Sequence, residues 1–188
     1  MSEKYTTSKI VRESLPLLLI VSLLSVLSGQ VLQGHEAIIV SLPVFLLTVP
    51  AFANQSGDIA AVLASRVTTE LYTGSTERSI LKSENMWGSI IGLILSSSIG
   101  FSVLALLSNF IASLLGFNTL PIFTLWLIIF LSGITTILSV MVVGLVVALI
   151  TFKQGLDPDN FSAPVVTTIC DVIGIFLLFS FASLIGGV

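Results

Sequence analysis

The segment TTICDVIGIFLLFSFASLIGGV (residues 167–188) is apolar except for one acid, Asp171. An isolated charge near the centre of a bilayer costs on the order of 3 kcal/mol even by lenient insertion scales. Acids inside membrane spans are therefore functional by default, and they contact partners other than lipid. The rest of the chain has to show whether this segment crosses a membrane and what its acid binds.

The composition indicates a polytopic membrane protein. The chain has 188 residues, of which 55% are hydrophobic and only 9% are charged, whereas a soluble domain has roughly 25% charged residues. Cys170 is the one cysteine and His35 the one histidine, so an internal disulfide and a zinc-type ligand spacing are both excluded. We expect no cleavable signal peptide, no soluble domain at either end and no nucleic-acid partner.

Five apolar segments are each long enough for a membrane span of about 20 residues. They cover about 15–33, 37–72, 87–115, 120–152 and 163–186. The sequence therefore predicts an all-α fold in which residues 1–188 form one five-span domain. In this arrangement all seven basic residues lie on one side of the membrane. The positive-inside rule then predicts a cytoplasmic amino terminus and an external carboxyl terminus in the plasma or inner membrane.

The second span is unusual because it is long and contains two prolines. A continuous helix from 37 to 73 would be roughly 55 Å long, against a hydrocarbon core of about 30 Å. Pro43 and Pro50 precede the polar stretch AFANQSGD. We expect a kink near Pro50, or a break within residues 50–58, together with a cytoplasmic extension past Arg66. Broken spans are common where ions bind.

Asp171 is predicted about nine residues, or roughly 14 Å, into the fifth span, close to the membrane midplane. No basic residue is predicted at that depth to pair with it. Thr167 and Gly174 share its helix face. The alternatives are a protonated acid that bonds a neighbouring helix, and small-residue packing with hydroxyls bonded back to their own helix.

The second span contributes its own candidate ligands. Asp58 follows Asn54 and Gly57 in the NQSGD stretch, where an amide oxygen and exposed backbone carbonyls would surround a cation. The alternative is that Asp58 caps a helix that begins at residue 59. Near the fifth span, Asp157 and Asp159 would concentrate cations at the cytoplasmic mouth, or would only mark the helix start.

These candidate ligands are all oxygen atoms, which suit hard cations such as Mg²⁺, Mn²⁺, Ca²⁺ or Na⁺. Mg²⁺ is commonly held through one or two carboxylates while it keeps several waters. A two-fold dimer would place two copies of Asp171 across a central axis, enough to neutralise a divalent ion.

Two segments, VPAFANQSGDIAAVLASRVTTELYTG (49–74) and GLDPDNFSAPVVTTICDVIG (155–174), resemble the signature segments of the MgtE family of magnesium transporters and channels, in particular its solute-carrier-41-like branch. The matching residues are Pro50, Ala51, Gly57, Leu63, Ala64, Ser65, Arg66 and Thr69 in the first segment, and Asp157, Pro158, Asp159, Asn160, Pro164, Thr167 and Asp171 in the second.

The resemblance implies an ion path lined by spans two and five, with hydrated Mg²⁺ bound at Asp171. Position 58 departs from it, because Asp stands where the family usually has Asn. The chain resembles a single half of duplicated members without regulatory CBS modules, so it should form a homodimer or a heterodimer with a paralogous half.

Three alternatives to a Mg²⁺ channel or transporter remain. A Na⁺-coupled Mg²⁺ exchanger would use the same ligands. An intramembrane aspartyl protease would need a G-x-G-D motif and an acid after tyrosine, but Gln55 and Cys170 occupy those positions, so no enzyme is expected. A non-conducting membrane subunit would not need Asp171.

Overall fold

The computed structural model describes residues 7–72, 83–153 and 158–187, and those residues fold entirely into helices and short connections. The helices are α1 (Thr7–Gly34), α2 (Glu36–Ser41), α3 (Val44–Tyr72), α4 (Glu84–Leu114), α5 (Ile122–Lys153) and α6 (Pro158–Gly186). The predicted all-α fold is therefore confirmed.

Four of these helices are long and apolar enough to cross a membrane. The candidate spans are Ser14–Gly34, Glu84–Leu114, Ile122–Lys153 and Ala163–Gly186. They coincide, within a few residues at each end, with the spans predicted at 15–33, 87–115, 120–152 and 163–186. Helices of this length and hydropathy indicate an integral membrane protein.

The predicted second span is interrupted, but not where the sequence indicated. Leu42 leaves helical geometry with φ −128° and ψ 79°, and it separates the short α2 from α3. It precedes Pro43, whose ring disfavours helical backbone in the residue before it. From Val44 to Tyr72 the helix is continuous. The predicted break within residues 50–58 is therefore wrong.

Packing explains why α3 continues through Pro50. The side chains just before and after the proline, Val49 and Phe52, are buried, and Phe52 is fully so. The hydroxyl of Thr48 donates to the carbonyl of Val44 at 3.0 Å and so bonds within the same turn. Tertiary contacts on both sides thus offset the backbone hydrogen bond that Pro50 cannot donate.

Helix α3 lies among α4, α5 and α6 and packs against all three. It is absent from the four apolar candidates, and its sequence includes the polar run NQSGD (54–58) and the charged residues Arg66 and Glu70. The helix that carries this polar run is therefore also one of the most central helices of the bundle.

Aromatic side chains fill the core around α3. The rings of Phe52 and Phe101 have centroids 5.2 Å apart, and those of Phe45 and Phe179 lie 5.5 Å apart. Gly133 of α5 makes room for Phe101, whose ring occupies the space that a Cβ atom there would take. These contacts join α3 to α4 and α6 through one continuous hydrophobic cluster.

Candidate functional site

Asp171 lies near the middle of α6 and is half-buried. The preceding residue, Cys170, is fully buried in a cluster with Ala60 of α3 and Val140 of α5. Since neighbouring residues on a helix point about 100° apart, burial of Cys170 between α3 and α5 turns Asp171 toward the edge of the α3–α6 contact. The carboxylate is therefore held by the bundle but not enclosed by it.

Gly57 of α3 lies opposite this carboxylate. A Cβ atom placed on Gly57 would lie 3.9 Å from Oδ1 of Asp171 and 3.7 Å from Cβ of Thr167. Such distances are ordinary van der Waals contacts, so a methyl group would fit there but a branched side chain would displace the carboxylate. The structure thus brings together three of the predicted site residues, Gly57, Thr167 and Asp171, from two helices far apart in sequence.

The threonine hydroxyls beside Asp171 are bonded within α6. Thr167 donates to the carbonyl of Pro164 at 3.0 Å, and Thr168 donates to the same carbonyl at 2.8 Å. Both hydrogens are therefore engaged, and what Thr167 can offer a cation is a hydroxyl oxygen with free lone pairs. The alternative of hydroxyls bonded back to their own helix is thus observed for both residues.

Asn54 and Asp58 lie on the exposed side of α3. They are one helical turn apart, and Nδ2 of Asn54 donates to Oδ2 of Asp58 at 3.5 Å. Because α3 begins at Val44 and is continuous, Asp58 lies in the helix interior, and the interpretation that it caps a helix start is wrong. The amide and the carboxylate form an oxygen-bearing surface next to the face that carries Gly57.

Two further polar residues extend this surface, although the sequence reasoning did not select them as site residues. Ser65 and Thr69 are exposed and follow Asp58 at the spacing of one helix face. The hydroxyl of Thr69 donates to the carbonyl of Ser65 at 2.9 Å. Helical periodicity of 54, 58, 65 and 69 was the signal that would have found them.

Gly174 and the predicted mouth acids lie elsewhere. Gly174 is buried, and a Cβ atom there would lie 3.3 Å from Cε1 of Phe52 and 3.3 Å from Cγ2 of Thr136. It therefore allows close packing of α6 against α3 and α5. Asp159 lies in the first turn of α6, and Asp157 lies outside the described residues.

The described residues of this site include two carboxylates, Asp58 and Asp171, which is fewer than a closed metal site needs. Within residues 7–72, 83–153 and 158–187, no group of three or more His, Cys, Asp or Glu side chains is placed to hold a metal ion. Asp171 and Asp58 are therefore not part of a closed metal cage within one chain. A half-buried carboxylate, a close glycine and exposed neutral oxygens suit a hydrated cation better than a fully dehydrated one.

Comparison with known proteins assigns the chain to a transport family. The family model "MgtE: Divalent cation transporter" matches residues 49–181, which include Gly57, Asp58, Thr167 and Asp171. No curated protein matches the chain. The family is one of transporters and not an enzyme class. Since the match covers most of the sequence, the chain belongs to the MgtE family of divalent cation transporters.

Proposed function

We propose that this protein carries Mg²⁺ across the membrane along the exposed polar face of α3 and the adjoining edge of α6, with Asp171 as the central ligand. The observation that supports it is the contact of Gly57 with Asp171 and Thr167. Asn54 and Asp58, which are exposed, lie within one helical turn of Gly57 on α3, so the proposal takes them as further ligands beside Asp171. Mn²⁺ and Ca²⁺ are the competing hard cations.

Hydration is central to this proposal. Mg²⁺ gives up its waters reluctantly and binds proteins through one or two carboxylates plus water. The exposed amide of Asn54, the carboxylate of Asp58 and the exposed Ser65 and Thr69 supply acceptors for such waters along about four turns of α3. A hydrated ion would therefore travel along α3 and contact Asp171 from the side.

We propose that α3 is the fifth membrane span and that two chains assemble about a two-fold axis. Helix α3 has 29 residues and packs among three apolar helices, so we expect it to cross the membrane beside them. Its exposed polar face then has to be shielded from lipid. A second copy supplies that cover, and it brings a second Asp171 to the path. With five spans, the distribution of basic residues gives the predicted cytoplasmic amino terminus and external carboxyl terminus. The predicted kink at Pro50 remains part of this proposal.

Cross-linking tests the dimer. Ser65→Cys lies on the exposed face of α3, whereas Ile99→Cys lies on an exposed apolar face of α4. Mild oxidation in native membranes should give a disulfide-linked dimer with the first variant and monomer with the second. Cys170 is fully buried and provides no competing thiol. Cross-linking of both variants, or of neither, would contradict a dimer built on α3.

Flux measurement tests the transport function. In proteoliposomes, Asp171→Asn should abolish most Mg²⁺ flux, because it keeps the shape and removes the charge. Glu36→Gln is the matched control, since Glu36 is an exposed acid in the first turn of α2, away from the α3–α6 contact. Wild-type flux by Asp171→Asn would make the acid structural and contradict its role as the central ligand. Absence of flux with the wild-type protein would favour a non-conducting subunit.

The same assay separates the two transport mechanisms. Wild-type flux that is equal with and without a Na⁺ gradient supports a channel or uniporter. Flux that requires the gradient supports a Na⁺-coupled exchanger, which would use the same oxygen ligands.

A further inference from the structure

A cavity of about 660 Å³ lies between the last turns of α3 and the first turns of α4. A second cavity of about 510 Å³ adjoins it and shares Val62, Arg66 and Thr69 as lining residues. The larger volume falls within the roughly 300–1,000 Å³ of small-molecule sites. Neither cavity includes Asp58 or Asp171 among its described lining residues, so this space lies apart from the two proposed carboxylate ligands. It adjoins the cytoplasmic end of the proposed path, because Thr69 lines both cavities.

The larger cavity contains charges of both signs. Arg66 lines it from α3, Glu84 and Asn85 line it from the first turn of α4, and Glu70 completes the set. Arg66 forms no ion pair with any residue that the structure describes. The guanidinium of Arg66 and the carboxylate of Glu84 therefore line one space without pairing with each other. This arrangement complements a ligand that has an anionic and a cationic group of its own.

The hydrogen-bond donors in the cavity indicate that the anionic group of the ligand is a phosphate. The hydroxyls of Thr69 and Ser89 already donate to backbone carbonyls within their own helices, each at 2.9 Å. Among the described lining residues, the polar side-chain donors left for a ligand are the guanidinium of Arg66 and the amide of Asn85. A guanidinium presents paired N–H groups that match two phosphate oxygens.

The cavity opens onto the apolar surface of α4. Gly88 and Gly92 line it, and a Cβ atom on either would meet nothing within 4 Å. The same face of α4 continues with Ile91, Leu95 and Ile99, whose side chains are 53%, 61% and 67% exposed. Polar groups at the end of a span, followed by an open apolar track, match the order of headgroup and acyl chain in a membrane lipid.

We propose that this cavity binds an amine-bearing zwitterionic phospholipid of the phosphatidylethanolamine class. The phosphate contacts Arg66 and Asn85, the ammonium donates to the carboxylate of Glu84, and an acyl chain lies along Gly88, Gly92 and the apolar residues that follow. Phosphatidylcholine has no N–H to donate to the carboxylate. Phosphatidylglycerol has no cationic group to pair with Glu84, so it would leave that carboxylate beside a net negative headgroup.

The test is lipid retention by the purified full-length protein, measured by native mass spectrometry from micelles that contain equal amounts of phosphatidylethanolamine, phosphatidylcholine and phosphatidylglycerol. Wild type should retain phosphatidylethanolamine about tenfold over phosphatidylcholine, the effect of a charge-assisted hydrogen bond. Arg66→Gln should lose most of the bound lipid. Glu84→Gln should reduce phosphatidylethanolamine to the level of phosphatidylcholine without lowering the latter.

Gly92→Leu tests the acyl track without disturbing the helix contacts, because the new side chain enters open space. It should lower retention of phosphatidylethanolamine severalfold. The matched controls lie on α1: Arg12→Gln removes another exposed arginine, and Gly29→Leu fills another open glycine position. Both should retain lipid as wild type does.

Three outcomes would overturn the proposal. Equal retention of all three lipids would show that no headgroup is selected. Unchanged retention by Arg66→Gln and Gly92→Leu would place the lipid elsewhere. Displacement of the lipid by an equal concentration of soluble glycerophosphoethanolamine would identify a free headgroup compound, and not a membrane lipid, as the ligand.

Discussion

Helices α3 and α4 are nearly equal in length, with 29 and 31 residues, but their exposed faces differ in chemistry. The exposed face of α3 includes Asn54 and Asp58. The exposed face of α4 carries Ile91, Leu95 and Ile99. The comparison teaches that the exposed helix faces of a membrane bundle do not all have the same surroundings. An apolar exposed face contacts lipid, whereas a polar exposed face needs water, a cation or a partner chain.

The strongest test of this comparison exchanges the chemistry of the two faces. Ile99→Asp places a carboxylate on the apolar face of α4, which should cost about 3 kcal/mol of insertion free energy. Asn54→Asp places the same group on the polar face of α3 and should change the yield of membrane-inserted protein little. Quantitative blotting of membrane fractions compares the two. Equal yields would mean that the face of α4 is not lipid-exposed.

Glycine substitutions should give the next largest effect. Gly57→Val crowds Asp171 and Thr167, so it should destabilise the fold by about 1–3 kcal/mol and lower Mg²⁺ flux. Gly88→Val enters open space beside α4 and should leave thermal unfolding in detergent unchanged. Gly57→Ala should resemble wild type, because its methyl group meets only ordinary contacts. Identical melting of Gly57→Val and Gly88→Val would contradict a close α3–α6 contact.

A smaller effect is expected from Asp58→Asn, which removes a charge without changing shape. Asp58 is exposed, and among the described residues its carboxylate accepts a hydrogen bond only from Asn54, at 3.5 Å. The free energy of unfolding should therefore change by no more than about 0.5 kcal/mol. Mg²⁺ flux should fall severalfold at low Mg²⁺, where a second acid raises the local cation concentration. Flux as low as that of Asp171→Asn would instead make Asp58 an equal ligand.

The smallest effect on Mg²⁺ flux should come from the side of α3 that faces α5. The hydroxyl of Ser56 is fully buried with no hydrogen-bond partner among the described residues. Ser56→Ala should therefore be neutral or stabilising by up to about 1 kcal/mol, since it removes an unsatisfied buried group. Thr48→Val is the contrast, because it removes a hydroxyl that is bonded at 3.0 Å. A loss of stability in Ser56→Ala would indicate an ordered water at that hydroxyl.

The helices were predictable because hydropathy and length determine apolar spans. The four spans near 15–33, 87–115, 120–152 and 163–186 lie within a few residues of the observed helices. The location of the break was not predictable in this way. Pro43 and Pro50 are alike in sequence, and only tertiary packing around Val49 and Phe52 keeps α3 helical through the second.

The site was predictable only in part. Placing Asp171 and Thr167 on one face requires only helical spacing. Gly57 lies about 110 residues before them along the chain, and it reaches them only because α3 packs against α6. Helical periodicity does not encode that packing. The exposure of Asp58 and the burial of Gly174 depend on the same packing, so local sequence chemistry left a helix cap open as an alternative for Asp58 and took Gly174 for a site residue.

The way α1 is held in the bundle has a consequence for biogenesis. Helix α1 packs mainly against α6, and His35 at its end stacks on Phe179 with ring centroids 4.8 Å apart. These helices are the furthest apart in sequence, so α1 enters the bilayer during synthesis long before its partner emerges from the ribosome. Until then α1 lacks its main packing partner, and the nascent chain exposes the surfaces that α6 later buries. We expect membrane chaperones and quality-control proteases to act on the chain at this stage.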